Sequence, residues 1–334
     1  MKLAVVLFNL GGPDGPDAVQ PFLQNLFCDP AIISLPWIVR APLGRFIAKR
    51  RAPIAREIYA RIGGGSPIVP ETRKQAQALE QALSHDGIEA KCFIAMRYWH
   101  PFSDEAATQV KAFAPDRIVL LPLYPQFSTT TTRSSVKDWG RAARKAGLDQ
   151  PHSDVCCYPD EAGFVQAMAA RIRTAMAGAR DDIGWRLLMS AHGLPRRTIE
   201  KGDPYQRQVE QTAAAIVREL AMPQLESVVC YQSKVGRLEW IGPSTDDEIR
   251  RAGTEGKGVI IAPIAFVSEH SETLVELDIE YRHLAEESGV PDYRRAATVG
   301  DDPAFIAGLA GLVRQALASE NALCCAPGDC KPQV

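Results

Sequence analysis

The chain has 334 residues, 46% hydrophobic and 23% charged, with a formal net charge of −2. That length suits two domains of moderate size, and no basic excess or basic run points to nucleic acid as a partner. No apolar run is long enough to span a bilayer, and residues 3–10 are too short for a signal peptide before Gly11-Gly12-Pro13. The expected location is therefore cytoplasmic, where eight reduced cysteines point away from disulfides and leave metal binding open.

Strand-like and helix-like segments alternate. Residues 3–9 read as a buried strand, and 17–27 as a helix with Val19, Phe22, Leu23, Leu26 and Phe27 on one face. A helix at 70–83, a strand at 90–95, a helix at 104–113, a strand at 117–123 and a helix at 134–146 follow. The pattern restarts with a strand near 154–158 and a helix at 161–177. Strands at 185–190, 227–231 and 258–264 then alternate with helices at 204–220, 245–252 and 269–287, and a helix at 303–318 closes the series. Alternating βα units mean parallel sheets with helices on both faces, here an α/β fold of two similar Rossmann-like, doubly wound domains. The expected limits are residues 1–150 and 151–302, then a C-terminal helix at 303–320 and a cysteine-containing tail at 321–334.

One segment interrupts the pattern. Residues 30–56 combine Ile32, Ile33, Leu35, Trp37, Ile38, Val39, Leu43, Phe46 and Ile47 with Arg40, Arg45, Lys49, Arg50, Arg51 and Arg56. Such a segment either packs on its own domain as a helix or forms a lip that covers an apolar ligand and touches an anionic membrane surface.

Missing motifs narrow the chemistry. Pro13 stands where a dinucleotide fingerprint needs its second glycine, and no lysine follows Gly63-Gly64-Gly65-Ser66-Pro67 at phosphate-loop spacing. A nucleotide cofactor is not expected, and without a G-x-S-x-G elbow neither is an α/β-hydrolase.

Two strand ends carry chemistry. Leu187-Leu188-Met189-Ser190-Ala191 runs out into His192, with Gly193 and Pro195 ending regular structure. The carboxyl end of a strand is where open α/β sheets handle ligands, and a histidine there can act as base or metal ligand. A strand over residues 258–264 leads to Glu269, His270 and a helix on which Glu272, Glu276 and Glu280 recur at i, i+4 and i+8. Such a row is either a solvated face or, if the two strands are neighbours, an acidic wall opposite His192. An imidazole opposed by a carboxylate can contact a divalent metal such as Fe²⁺ or accept protons. Arg97, Tyr98, His100, Tyr124, Trp240 and Phe266 sit at or beyond strand ends, a set suited to a flat, anionic, aromatic ligand.

These stretches resemble the ferrochelatase family, whose members insert ferrous iron into a porphyrin. The resemblance covers nearly the whole chain and is most specific over residues 187–205, ending in Lys201-Gly202-Asp203-Pro204-Tyr205. Similar matches are Asn9-Leu10-Gly11-Gly12-Pro13, residues 61–68, Tyr124-Pro125-Gln126, residues 231–236, and residues 263–281. It implies two Rossmann-like domains with a porphyrin cleft between them and His192 with Glu272 as the metal-site pair. It further implies an acidic path through Glu276 and Glu280, a cleft that includes Leu10, Arg97, Tyr124 and Trp240, and a cleft lip at 30–56. No cofactor is needed for that chemistry: Fe²⁺ and a porphyrin, protoporphyrin IX rather than coproporphyrin because the lip is apolar, are substrates. The other readings are cobalt or nickel insertion into another tetrapyrrole and a non-catalytic haem or porphyrin carrier.

Cys324, Cys325 and Cys330 in the tail, with Cys156 or Cys157, offer four thiolates for a [2Fe–2S] cluster of the kind some ferrochelatases carry, the other readings being a zinc site or a disordered tail. The tail spacing here is Cys-Cys-x₄-Cys where the animal type has Cys-x₂-Cys-x₄-Cys. The internal cysteine of that type falls near Ser128-Thr129, where this chain has none.

Overall fold

The computed structural model describes residues 1–84, 88–234, 236 and 238–319. The described chain divides into two compact units, one of Met1–Cys157 with residues 309–319, the other of Tyr158–Gly308.

The first unit begins with β1 (Lys2–Asn9), buried at every residue but the first, as expected of a strand covered on both faces. After a short 3₁₀ turn at Pro16–Ala18 come α1 (Val19–Phe27), α2 (Trp37–Ala60), α3 (Ile68–Ser84), β2 (Glu89–Met96), α4 (Ser103–Phe113), β3 (Arg117–Pro122), α5 (Thr132–Ala146) and β4 (His152–Asp154). The strands form one parallel sheet in the order β2-β1-β3-β4. β4 differs from expectation: the strand anticipated near 154–158 is shorter, starts earlier and closes the first sheet beside β3. Val155–Tyr158 are apolar because they are buried, with Cys156 and Cys157 against Phe127, and not because they extend a ladder.

The second unit contains α6 (Ala162–Met176), β5 (Trp185–His192), α7 (Arg196–Glu200), α8 (Tyr205–Leu220), β6 (Glu226–Gln232), α9 (Thr245–Thr254) and β7 (Gly258–Pro263). A π-helix (Glu272–Glu280), α10 (Tyr281–Glu287), β8 (Tyr293–Arg295) and α11 (Pro303–Ala318) follow, the last running on into the first unit's residues. Its parallel sheet has the order β6-β5-β7-β8, the same wiring as the first. Two doubly wound α/β units are thus what the alternation of segments implied.

Two local features matter for the site. The expected helix at 269–287 starts later and winds its first nine residues as a π-helix, a form found mostly as single turns at functional sites. Tyr293 Oη donates to the Leu277 carbonyl at 2.7 Å and Arg295 Nε to Asp278 Oδ1 at 2.7 Å, fixing this wound segment from β8. In the insertion, α2 turns a stripe of small residues (Ala41, Gly44, Ala48 and Ala52) inward. A Cβ on Gly44 would come within 2.8 Å of the Phe27 carbonyl oxygen, so α2 lies nearly backbone to backbone on the end of α1. Elsewhere on α2, Trp37, Ile38, Val39, Phe46 and Ile54 are exposed. The tail cysteines Cys324, Cys325 and Cys330 lie outside the described residues.

Candidate active site

In each sheet the strand order reverses beside the first strand, and ligands of open α/β sheets bind outside the carboxyl ends of strands at such a switch point. In the second unit that point lies between β5 and β7. β5 ends at His192, and the chain leaving β7 turns through Phe266 and His270 into Glu272. His270 fixes the turn: its backbone N donates to Thr273 Oγ1 at 3.0 Å while its ring Nδ1 lies 3.0 Å from the Ser268 carbonyl. His192 Nδ1 and Glu272 Oε2 meet at 2.8 Å with side chains 37% and 31% exposed, so the pair is reachable yet partly dried.

Burial pulls the His192 imidazole down, but the Glu272 charge, the hydrogen bond to it and the Glu276 charge outweigh that and raise it. Burial pushes the Glu272 carboxyl up, yet the charge and hydrogen bond of His192 win and hold it well below the usual carboxylate range. Glu276 moves the other way, raised by burial and by the Glu272 charge. Three neighbouring groups thus differ strongly in proton affinity, a common property of sites that move protons.

Glu276 is held by groups that the sequence reading missed. Ser233 donates both its backbone N to Oε1 at 2.9 Å and its hydroxyl to Oε2 at 2.6 Å. Gln232 Nε2 donates to Oε2 at 2.9 Å, and Tyr281 Oη to Oε1 at 3.1 Å. Ser190 on β5 donates to Gln232 Oε1 at 2.7 Å, linking the His192 strand to this cradle. Ser233 has φ +63°, a left-handed conformation that serines rarely adopt and that no sequence pattern marks. Glu280, the third acid of the row, is exposed at the far end of the π-helix.

Trp240 reaches the same strand end: Pro195 and Trp240 form an isolated antiparallel bridge, and Ile241 N donates to the Leu194 carbonyl at 3.0 Å. A Cβ on Gly193 would stand 3.1 Å from the indole ring, so glycine beside His192 gives the tryptophan its seat. Phe266 lies edge-on to the His270 ring, with centroids 4.5 Å apart.

In the first unit Leu10 follows β1, and Arg97 and Tyr98 follow β2; their backbone N–H groups donate to the Asn9 and Leu10 carbonyls at 2.9 Å. Tyr98 and Tyr124 are 1% and 8% exposed, their hydroxyls on Asp29 at 2.9 Å and Ser135 at 3.4 Å. The Arg97 guanidinium is paired with Asp29 Oδ2 at 2.8 Å.

Two parallel sheets of identical wiring, with an imidazole–carboxylate pair at a switch point, define a chelatase-like α/β protein. The sirohydrochlorin chelatase SirB of Bacillus subtilis subspecies spizizenii, in complex with cobalt, shares this fold. Its TM-score is 0.56 at 13% identity, over 96% of this chain and 97% of that one. SirB from Bacillus subtilis with Fe³⁺ gives 0.54 at 14% identity, over 95% and 96%. The chain belongs to the ferrochelatase family, whose model matches residues 2–317. It is 61% identical over 318 residues to the ferrochelatase of Caulobacter vibrioides (strain NA1000 / CB15N), covering 95% of this chain and 90% of that protein. The ferrochelatase of Phenylobacterium zucineum (strain HLK1) is 56% identical over 335 residues, covering 99% and 96%.

Proposed function

We propose that this chain inserts Fe²⁺ into protoporphyrin IX to give protohaem, releasing two protons, with His192 and Glu272 at the metal. It is a lyase of the ferrochelatase family. The observation that carries the site assignment is the 2.8 Å His192–Glu272 contact at the β5–β7 switch point.

A planar porphyrin cannot take a metal while its two pyrrole N–H protons point inward. Ring distortion, deprotonation and delivery of dehydrated Fe²⁺ must come together, with binding energy of the ring periphery used to reach the distorted state. His192 is the principal proton acceptor, and the adjacent Glu272 charge makes its imidazole a stronger base than a free one. Glu272 offers Fe²⁺ an anionic oxygen and opens the exit path for protons. The Ser233 hydroxyl lies 3.5 Å from Glu272 Oε2 and 2.6 Å from Glu276 Oε2, and the raised Glu276 carboxyl is the better proton store of the two. Glu280 completes the route at an exposed position.

Anaerobic Fe²⁺ insertion with protoporphyrin and coproporphyrin side by side tests this. Protohaem is the expected product. Faster turnover of coproporphyrin overturns the substrate choice, and tight binding without turnover of either makes the chain a carrier.

The lip supports a peripheral contact with the inner membrane face of a cytoplasmic enzyme. Ile38 is 84% exposed, Ile54 62%, Trp37 60% and Phe46 59%, with Arg40 over the Trp37 ring and Arg50 over the Phe46 ring. Exposed apolar side chains flanked by cations suit an anionic bilayer surface. Among the described residues no helix is long and apolar enough to cross a membrane.

A [2Fe–2S] cluster on Cys324, Cys325, Cys330 and Cys156 or Cys157 is the last part of the proposal. Cys156 lines a recess with Phe127, Val136 and Val155, and on its wall Arg133 and Lys137 outnumber Asp154, a net positive setting that would partly offset the negative charge of a thiolate-bound cluster. That chemistry fits Cys156 as the internal ligand; when bound, such a cluster supplies one-electron redox chemistry. Anaerobic purification with a visible spectrum and an assay for acid-labile sulfide decides it: a colourless protein excludes the cluster, and Cys156→Ser should bleach a coloured one.

A further inference from the structure

Asp29 lies in the loop between α1 and α2 with its side chain only 2% exposed, where an unpaired carboxylate would be costly. Its Oδ2 accepts from the Ser134 hydroxyl at 2.6 Å, the Arg97 guanidinium at 2.8 Å and the Tyr98 hydroxyl at 2.9 Å. Its Oδ1 accepts from the Ala31 backbone at 2.8 Å, and its carbonyl from Ile32 and Ile33 at 3.1 and 2.9 Å. The donors to Oδ2 come from the end of β2 and the first turn of α5, whereas the three backbone donors are the first residues of the lip. Ser134 also accepts from Arg97 Nε at 2.8 Å, closing a triangle of Asp29, Arg97 and Ser134. The Arg97 guanidinium is thus engaged with Asp29 and Ser134 through its Nε and one terminal nitrogen, and the Tyr98 hydroxyl is spent on Asp29.

We propose that Asp29 is a positioning residue for porphyrin capture: its carboxylate ties the root of the lip to Arg97 and to the buried Tyr98 and Ser134, and so holds the lip in one position for the ring. This rests on the porphyrin chemistry proposed above. The charge is essential because an amide of the same shape keeps an acceptor but loses the pairing with the guanidinium.

Asp29→Asn and Arg97→Gln, singly and together, are assayed with protoporphyrin varied at saturating Fe²⁺. Equilibrium binding of metal-free protoporphyrin and chymotryptic cleavage after Trp37 are measured alongside. Asp29→Asn should raise the porphyrin KM and Kd about tenfold, keep kcat within about threefold and speed cleavage of the lip. The double variant should be no more than about twofold worse than Asp29→Asn, because the two groups act as one unit. Unchanged KM, Kd and cleavage overturn the proposal, as does a loss of kcat at constant KM, which would mean action on the chemistry. If Asp29→Asn loses its cooperative melt, Ser134→Ala, which removes one donor only, should show the same pattern at about threefold. If the wild type inserts no iron, the function proposed above fails, while the porphyrin Kd and the cleavage rate still decide the role of Asp29.

Discussion

Ser233 grips Glu276 twice, through its backbone N at 2.9 Å and its hydroxyl at 2.6 Å. The loop after β6 is therefore hung from the π-helix, and the conformation of one is felt by the other. Ser233 holds φ at +63°, which costs a non-glycine residue about 1–2 kcal/mol.

Replacing Ser233 separates the hydroxyl from the backbone. Ser233→Ala and Ser233→Gly both lose the 2.6 Å bond, but only glycine relieves the left-handed strain. Thermal unfolding should find the glycine variant more stable than the alanine variant by about 1 kcal/mol. Insertion rates should fall about tenfold in both. Equal melting of the two variants would mean that the serine is not held strained by its partners.

His192→Ala should lower kcat by a factor on the order of 10²–10⁴, the usual worth of acid–base catalysis, while porphyrin affinity measured by fluorescence quenching stays within about twofold. A variant that keeps more than about a tenth of wild-type turnover would remove His192 from the proton-accepting role.

The pH dependence of stability follows from opposite shifts in one pair. His192 is raised above its ordinary 6.5, so its contribution is complete below 6.5 and fades as pH rises through the folded value. Glu272 is depressed below its ordinary 4.5, so its contribution is complete above 4.5 and fades as pH falls through the folded value. The pair therefore stabilises most between those two ordinary values, 4.5 and 6.5. Plotted against pH, the melting-temperature difference between wild type and Glu272→Gln should peak in that window. A difference that keeps growing into alkaline solution would contradict it.

Trp37→Ser and Phe46→Ser change side chains that are 60% and 59% exposed, so melting should be nearly unmoved. Co-sedimentation with vesicles containing anionic lipid should drop for each, and drop further for the pair. Raising salt should weaken the wild-type signal, because the flanking arginines act through screened charge. Binding that ignores both residues would leave the lip without a membrane role.

The α/β class of both units was legible because β1, β3 and β7 are almost wholly buried and read as nearly unbroken apolar runs between helical periods, while the strand order was not. The same signal misled at residues 155–158, since burial alone makes a loop look like a strand. The π-helix was hidden for another reason. Thr273, Val275, Leu277 and Tyr281 are the buried residues of that stretch, and side-chain composition does not report which carbonyl an N–H reaches. His192 and Glu272 stood out at strand ends, whereas Asp29, beside Pro30, resembled an ordinary turn acid. Its partners Tyr98 and Ser134 lie 69 and 105 residues away, beyond any local pattern.

The seat of α2 on α1 has a mechanical consequence. Gly44 leaves no clearance above the Phe27 carbonyl and the Cys28 sulfur, so a side chain there would act as a wedge beneath a beam. The beam is 24 residues long, and lifting it near one end would swing its outer edge, where Trp37 and Ile38 stand. A single methyl group at Gly44 would thus act as a lever on the exposed end of the segment.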